Sequence, residues 1–97
     1  MHAEIQDVRK ELEDKIAIII DVREENEWDL GHLSEASLLP LSHLKEGKLP
    51  GELPHNKNIY LYCASGVRVH EAAKILNEKY SNVIPLPYGF EDLKNSG

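Results

Sequence analysis

Ninety-seven residues, 41% hydrophobic and 29% charged, describe one small soluble domain spanning residues 1–97 with a single modest core. A net charge of −6 argues against a nucleic-acid binder, which needs a basic footprint, and against an anionic membrane surface as partner. One cysteine excludes an internal disulfide and an internal resolving thiol and argues against a cysteine-based zinc site, and no metal or cofactor is expected.

The chain opens Met1-His2-Ala3-Glu4-Ile5-Gln6-Asp7, without the basic start and apolar stretch of an export signal. No apolar run approaches the ~20 residues of a membrane span, so a reducing cytoplasm is the expected location. Ala3 to Asp14 places Ile5, Val8 and Leu12 on one face, as an amphipathic helix does. Ile16 to Val22 is nearly all apolar, the pattern of a strand covered on both faces. Asp21 and Arg23 are polar groups at the end of that strand. They read as a buried ion pair or loop brace ahead of direct catalysis.

Glu24 to Leu30 predicts a short helix, and Ser37-Leu38-Leu39 a short strand stopped by Pro40. Leu41 to Glu46 predicts another short helix, ending at Gly47; Lys48 to Asn56, with Pro50, Gly51 and Pro54, is a loop. Asn58 to Tyr62 is apolar and aromatic, with the length of a buried strand. From Val67 to Tyr80, the residues Val69, Ala72, Ala73, Leu76 and Tyr80 keep helical spacing. Val83 to Leu86 reads as a strand and Tyr88 to Lys94 as a terminal helix. Strands alternating with helices imply an α/β fold with a parallel sheet covered on both faces. Sites in such sheets lie at the carboxyl ends of the strands, which puts Asp21 to Glu24 and Cys63 at one edge.

Cys63 is the residue that carries chemistry. It sits where a strand gives way to a helix, and a helix N-terminus offers unpaired N–H groups and positive potential. Ser65 and Gly66 fall in the turn, where one can cap and the other tolerates unusual dihedrals. A thiol of pKa ~8.5 is only ~3% ionised at pH 7. Lowering the pKa to ~6.5 requires ~2.7 kcal/mol. A helix dipole supplies roughly 0.3–1 kcal/mol, so several converging N–H groups must add to it. A buried cysteine can also be a small hydrophobe. The small residues after Cys63, the arginine and the helix opening favour an anion cradle instead.

Four stretches, in order, resemble the single-domain rhodaneses, a sulfurtransferase family. Ile18-Ile19-Ile20-Asp21-Val22-Arg23-Glu24 is similar to the first signature, and Glu27-Trp28-Asp29-Leu30-Gly31-His32-Leu33 to the segment that follows it. Cys63 to Arg68 resembles the active-site loop Cys-x-x-Gly-x-Arg, and Asn82 to Leu86 with Gly89-Phe90 the closing strand and turn. The chain departs from the pattern at Ser34-Glu35-Ala36, where Pro-Gly-Ala is usual. It departs again at Tyr88, where a first glycine is usual and where the change bears on access to the site. At Leu93 a tryptophan is often found nearby. The short strand that often precedes the first helix is not expected, since only Met1-His2 come before it.

The resemblance implies a three-layer α/β/α fold around a mostly parallel sheet of about four to five strands. It implies a Cys63 persulfide formed from thiosulfate or a persulfide donor and discharged to cyanide, a cellular thiol or a protein thiol. Ala64, Ser65, Gly66, Val67 and Arg68 would form the substrate-binding loop. Arg68 would either hold the anionic donor or tie the loop to an acid such as Asp21 or Glu24. The neutral side chains of that loop suit thiosulfate less well than a basic loop would. The rhodanese-like phosphatases carry Cys-x5-Arg, one residue longer than the Cys-x4-Arg here. A binding module and a partner-specific sulfur carrier are the other readings. Elsewhere, His32 reads as a satisfied turn histidine, His70, His2, His43 and His55 as surface, Trp28 and Tyr80 as core anchors, and Tyr88 and Phe90 as packing residues that also border the site.

Overall fold

The structure, a computed structural model, describes residues 4–49 and 51–96. The elements are α1 (Ile5–Glu13), β1 (Ala17–Asp21), α2 (Glu25–Leu30), β2 (Ser37–Leu38), α3 (Leu41–Lys45), β3 (Asn58–Cys63), α4 (Arg68–Leu76), β4 (Val83–Gly89) and α5 (Phe90–Asn95). The four strands pair in the order β2-β1-β3-β4, all parallel. Residues 1–3, on which the expected absence of a first strand turns, lie outside the described residues, His2 among them, as does Pro50.

The pleat sends successive side chains to opposite faces. Ile20, Val22, Ile59, Leu61, Cys63 and Val83 pack under α3 and α4 with Leu44, Val69, Ala72 and Leu76. Ala17, Ile19, Tyr60, Tyr62 and Leu86 pack under α1 and α5 with Val8 and Leu93. Both faces are covered, so β1 and β3 read as unbroken apolar runs. β4 is an edge strand, and there Pro85 and Pro87 cost no interior ladder bond.

Three expectations shift. The fourth helix ends at Leu76 rather than Tyr80; Glu78 N–H donates to the Ile75 carbonyl and Lys79 N–H to that of Leu76, so the last turn tightens. Tyr80 is still buried, its hydroxyl accepting the Leu53 N–H at 2.9 Å. β4 runs on to Gly89, so Tyr88 belongs to a strand and the last helix begins at Phe90. Trp28 is not a core anchor: α2 buries no residue, and the Trp28 indole stacks on the His32 ring with centroids 3.5 Å apart. His32 Nδ1 also lies 2.9 Å from the Trp28 carbonyl, which fixes the turn.

Candidate active site

The order β2-β1-β3-β4 reverses direction between β1 and β3, and parallel sheets open a crevice at that point beyond their carboxyl ends. Asp21 ends β1 and Cys63 ends β3. β3 carries an irregularity between Leu61 and Cys63, after which Cys63 pairs with Gly89. The chain then turns through Ala64 to Val67 and enters α4.

Ser65 does not cap that helix. Val67 occupies the N-cap position, and no side chain caps the first turn. The cysteine sulfur takes the place of a cap. Gly66 N–H donates to Cys63 Sγ at 3.2 Å. Burial pushes the Cys63 thiol up, but the N–H groups of Ser65, Val69, Gly66 and Arg68 outweigh it and hold the thiol below its ordinary range. Hydrogen bonds to a charged group contribute ~1.5–3 kcal/mol each. The bond from Gly66 alone is of the size that the dipole lacks, and the neighbouring N–H groups add to it while burial subtracts.

Gly66 makes this geometry possible. Its φ is +81°, and a Cβ there would sit 2.7 Å from the Pro87 carbonyl oxygen. Gly89 serves the same contact from the other side, since a Cβ on it would lie 2.1 Å from the Ala64 carbonyl oxygen. The end of β4 is thus pressed against the loop, backbone to backbone. Cys63 itself is fully buried, at the base of an exposed loop. Ala64, Ser65 and Val67 are exposed, and Val67 keeps 70% of its surface.

Arg68 ties the loop to an acid, but that acid is neither Asp21 nor Glu24. Arg68 Nη1 and Nη2 donate to Glu27 Oε1 and Oε2 at 2.6 and 2.8 Å. The hydrogen bond from Arg68 holds the Glu27 carboxyl down at about 2, against the opposing effect of burial. Glu27 Oε1 also accepts the Glu24 N–H, so the start of α2 and the start of α4 share one carboxylate.

Asp21 and Arg23 form a buried ion pair on the other face of the sheet from Cys63. Arg23 Nη2 lies 2.8 Å from Asp21 Oδ2, and the Arg23 N–H donates to Oδ1. Tyr62 O–H donates to Asp21 Oδ2 at 2.8 Å and accepts the Leu33 N–H at 3.2 Å. Arg23 Nη2 donates to the Gly31 carbonyl, and its guanidinium lies 4.4 Å from the centre of the Phe90 ring. Burial of the Tyr62 hydroxyl pushes its ionisation well above the usual range. This network fastens β1, β3, the Gly31-His32 turn and α5 to one another. Phe90 belongs to it, and Tyr88 packs against the same cluster, so the aromatic change at Tyr88 sits on the face opposite Cys63.

Two surface hollows lie elsewhere. One of about 580 Å³ is lined by His70, Glu71, Lys74, Ile75 and Glu78, and one of about 400 Å³ by Arg9, His32, Leu33, Ser34, Glu35 and Lys94. Neither includes Cys63 or its loop. His43, His55 and His70 are exposed, and His55 leans on the Tyr80 ring.

A parallel α/β domain with a cysteine at the sheet's switch point, its sulfur accepting a loop N–H at the start of a helix, defines a class of thiol-centred domains. The sequence profile of the rhodanese-like domain matches residues 4–96, and the chain belongs to that family. It is 38% identical over 72 residues to a probable adenylyltransferase/sulfurtransferase, MoeZ, of Mycobacterium tuberculosis, over 73% of this chain and 18% of that protein. It is 33% identical over 91 residues to the tRNA uridine(34) hydroxylase of Staphylococcus carnosus, over 88% of this chain and 25% of that protein. The chain therefore spans a quarter or less of the length of these two relatives. Among solved structures, the human single-domain sulfurtransferase TSTD1 superposes with a TM-score of 0.85 at 18% identity, covering 99% of this chain and 96% of that one. A rhodanese-related protein from Thermoplasma volcanium gives 0.78 at 25% identity, covering 99% and 92%. The fold is that of the rhodanese-like domains, with four strands and helices on both faces.

Proposed function

We propose that this protein is a sulfurtransferase that carries sulfane sulfur as a persulfide on Cys63. The observation that carries the reading is the convergence of N–H groups on a single sulfur whose thiolate they favour. The Cys63 thiolate attacks the sulfane sulfur of thiosulfate; the S–S bond breaks and sulfite leaves with the electron pair. The second sulfur, now the terminal anion, sits at the same helix N-terminus and N–H ring. A thiol or cyanide then attacks that outer sulfur and returns the Cys63 thiolate. These 97 residues hold no second cysteine, so the acceptor thiol lies outside this domain. Ala64, Ser65, Gly66 and Val67 supply backbone and small side chains at the entrance, and Arg68 braces them. Asp21 and Arg23 act as scaffold.

A phosphatase needs the loop arginine for phosphate. Here that arginine is engaged through both terminal nitrogens by Glu27, which favours sulfur transfer. Ping-pong kinetics test the proposal. With thiosulfate and cyanide varied, parallel double-reciprocal plots and thiocyanate release that Cys63→Ser abolishes are expected. Intersecting plots, or arylphosphate turnover dependent on Cys63, would overturn it.

A further inference from the structure

Arg68 is the single basic residue between Cys63 and the first turn of α4, and both of its terminal nitrogens are bound to Glu27. Glu24 lies within electrostatic reach of the same guanidinium, while its own carboxylate accepts the Ser42 O–H at 2.6 Å. Glu27 thus holds this cation in direct contact at the loop's edge, while Cys63 and Glu24 feel its charge from farther off. The remaining side chains of the loop, Ala64, Ser65 and Val67, are uncharged, and Val67 presents an apolar surface to solvent. The N–H groups favour one negative charge at the sulfur. To offset a second, the loop has no positive side chain besides the Arg68 that Glu27 already engages.

We infer that Glu27 is a specificity-determining residue. By engaging the charge of Arg68 it turns the loop against the thiosulfate dianion and toward monoanionic sulfane donors with an apolar remainder, such as alkyl persulfides and alkanethiosulfonates. The inference rests on the sulfur-transfer reading above. The two donor classes react alike. The thiolate takes the terminal sulfur of ⁻S–SO₃⁻ and expels sulfite, or that of CH₃SO₂–S⁻ and expels methanesulfinate. In each case one S–S bond forms, one breaks and total charge is conserved. They differ by one unit of charge on the leaving portion.

The experiment compares kcat/KM for methanethiosulfonate with that for thiosulfate, with cyanide as acceptor, in wild type and Glu27→Gln at low ionic strength. Glutamine keeps the shape of the side chain and removes its charge. The wild-type ratio favours the monoanion, and Glu27→Gln lowers that ratio about tenfold, the scale of one unit charge acting over several Å of half-solvated protein. Added salt shrinks the difference between the two proteins. Loss of loop bracing alone would slow both donors and leave the ratio in place. Val67→Lys places a new cation at the exposed apex, moves the ratio in the same direction and answers the question if Glu27→Gln does not fold. A ratio that both folded variants leave within twofold of wild type overturns the inference. Wild type that takes sulfur from neither donor overturns the sulfur-transfer reading and this inference with it; loading with an unmoved ratio overturns the selectivity alone.

Discussion

Gly66→Ala joins fold to chemistry at one atom. Gly66 stands at φ +81°, where an L-residue costs ~1–2 kcal/mol. The new methyl would come within 2.7 Å of the Pro87 carbonyl oxygen, a backbone atom that cannot swing aside, so the loop and the end of β4 must separate. The expected loss of stability is about 2–4 kcal/mol, read as a lower urea midpoint at pH 7. The same shift pulls the Gly66 N–H off Cys63 Sγ. One charge-assisted bond of ~1.5–3 kcal/mol corresponds to a tenfold or greater fall in thiolate fraction below the thiol's pKa. The assay is the rate of alkylation by iodoacetamide as a function of pH. The inflection of Gly66→Ala should lie above that of wild type. A folded Gly66→Ala protein with a wild-type inflection would refute the assignment of the loop N–H groups as the source of thiolate stability.

Tyr62→Phe removes a hydroxyl that serves both Asp21 and the buried Leu33 N–H, and should cost about 2 kcal/mol in urea unfolding. Because Tyr62 faces away from Cys63, its alkylation inflection should stay with wild type; a matched shift would contradict the separation of scaffold from reactive face. The Glu27 carboxyl falls from 4.5 to about 2 on pairing with Arg68, so its contribution is complete above ~4.5 and fades as pH drops toward 2. Partly exposed as the pair is, that contribution should be about 1 kcal/mol. The stability gap between wild type and Glu27→Gln at pH 7 should therefore narrow on acidification through that window, and a gap independent of pH would refute the pairing. Sulfur loading should persist below the pH at which a free thiol loses reactivity, since Cys63 is held below the ordinary thiol range; loading that tracks a free thiol would contradict it.

Apolar runs and helical spacing made the core legible from sequence. β1 and β3 are buried on both faces, so their composition alone marks them, and Val69, Ala72 and Leu76 mark the buried stripe of α4. Asp21 and Arg23 stand out because charge at the end of such a run must be paired. What stayed hidden is set by long-range contact. Glu27 and Arg68 are 41 residues apart, and nothing local distinguishes Glu27 from Glu24 as the partner. Trp28 has the composition of an anchor, yet α2 is too short and too exposed to carry it inward, and it stacks on His32. The role of Gly89 depends on the approach of Ala64 from β3, and the sequence shows a glycine without the neighbour that requires it. Ser65 has the composition of a cap, but the sulfur four residues before Val67 takes that place.

The central claim is a sulfur atom carried covalently on Cys63. Intact mass is measured before and after incubation with thiosulfate or a small-molecule persulfide, without reductant, on wild type and Cys63→Ser. The account predicts that wild type alone gains the mass of one sulfur and that cyanide removes it as thiocyanate. No gain from either donor, or an equal gain in Cys63→Ser, would contradict it.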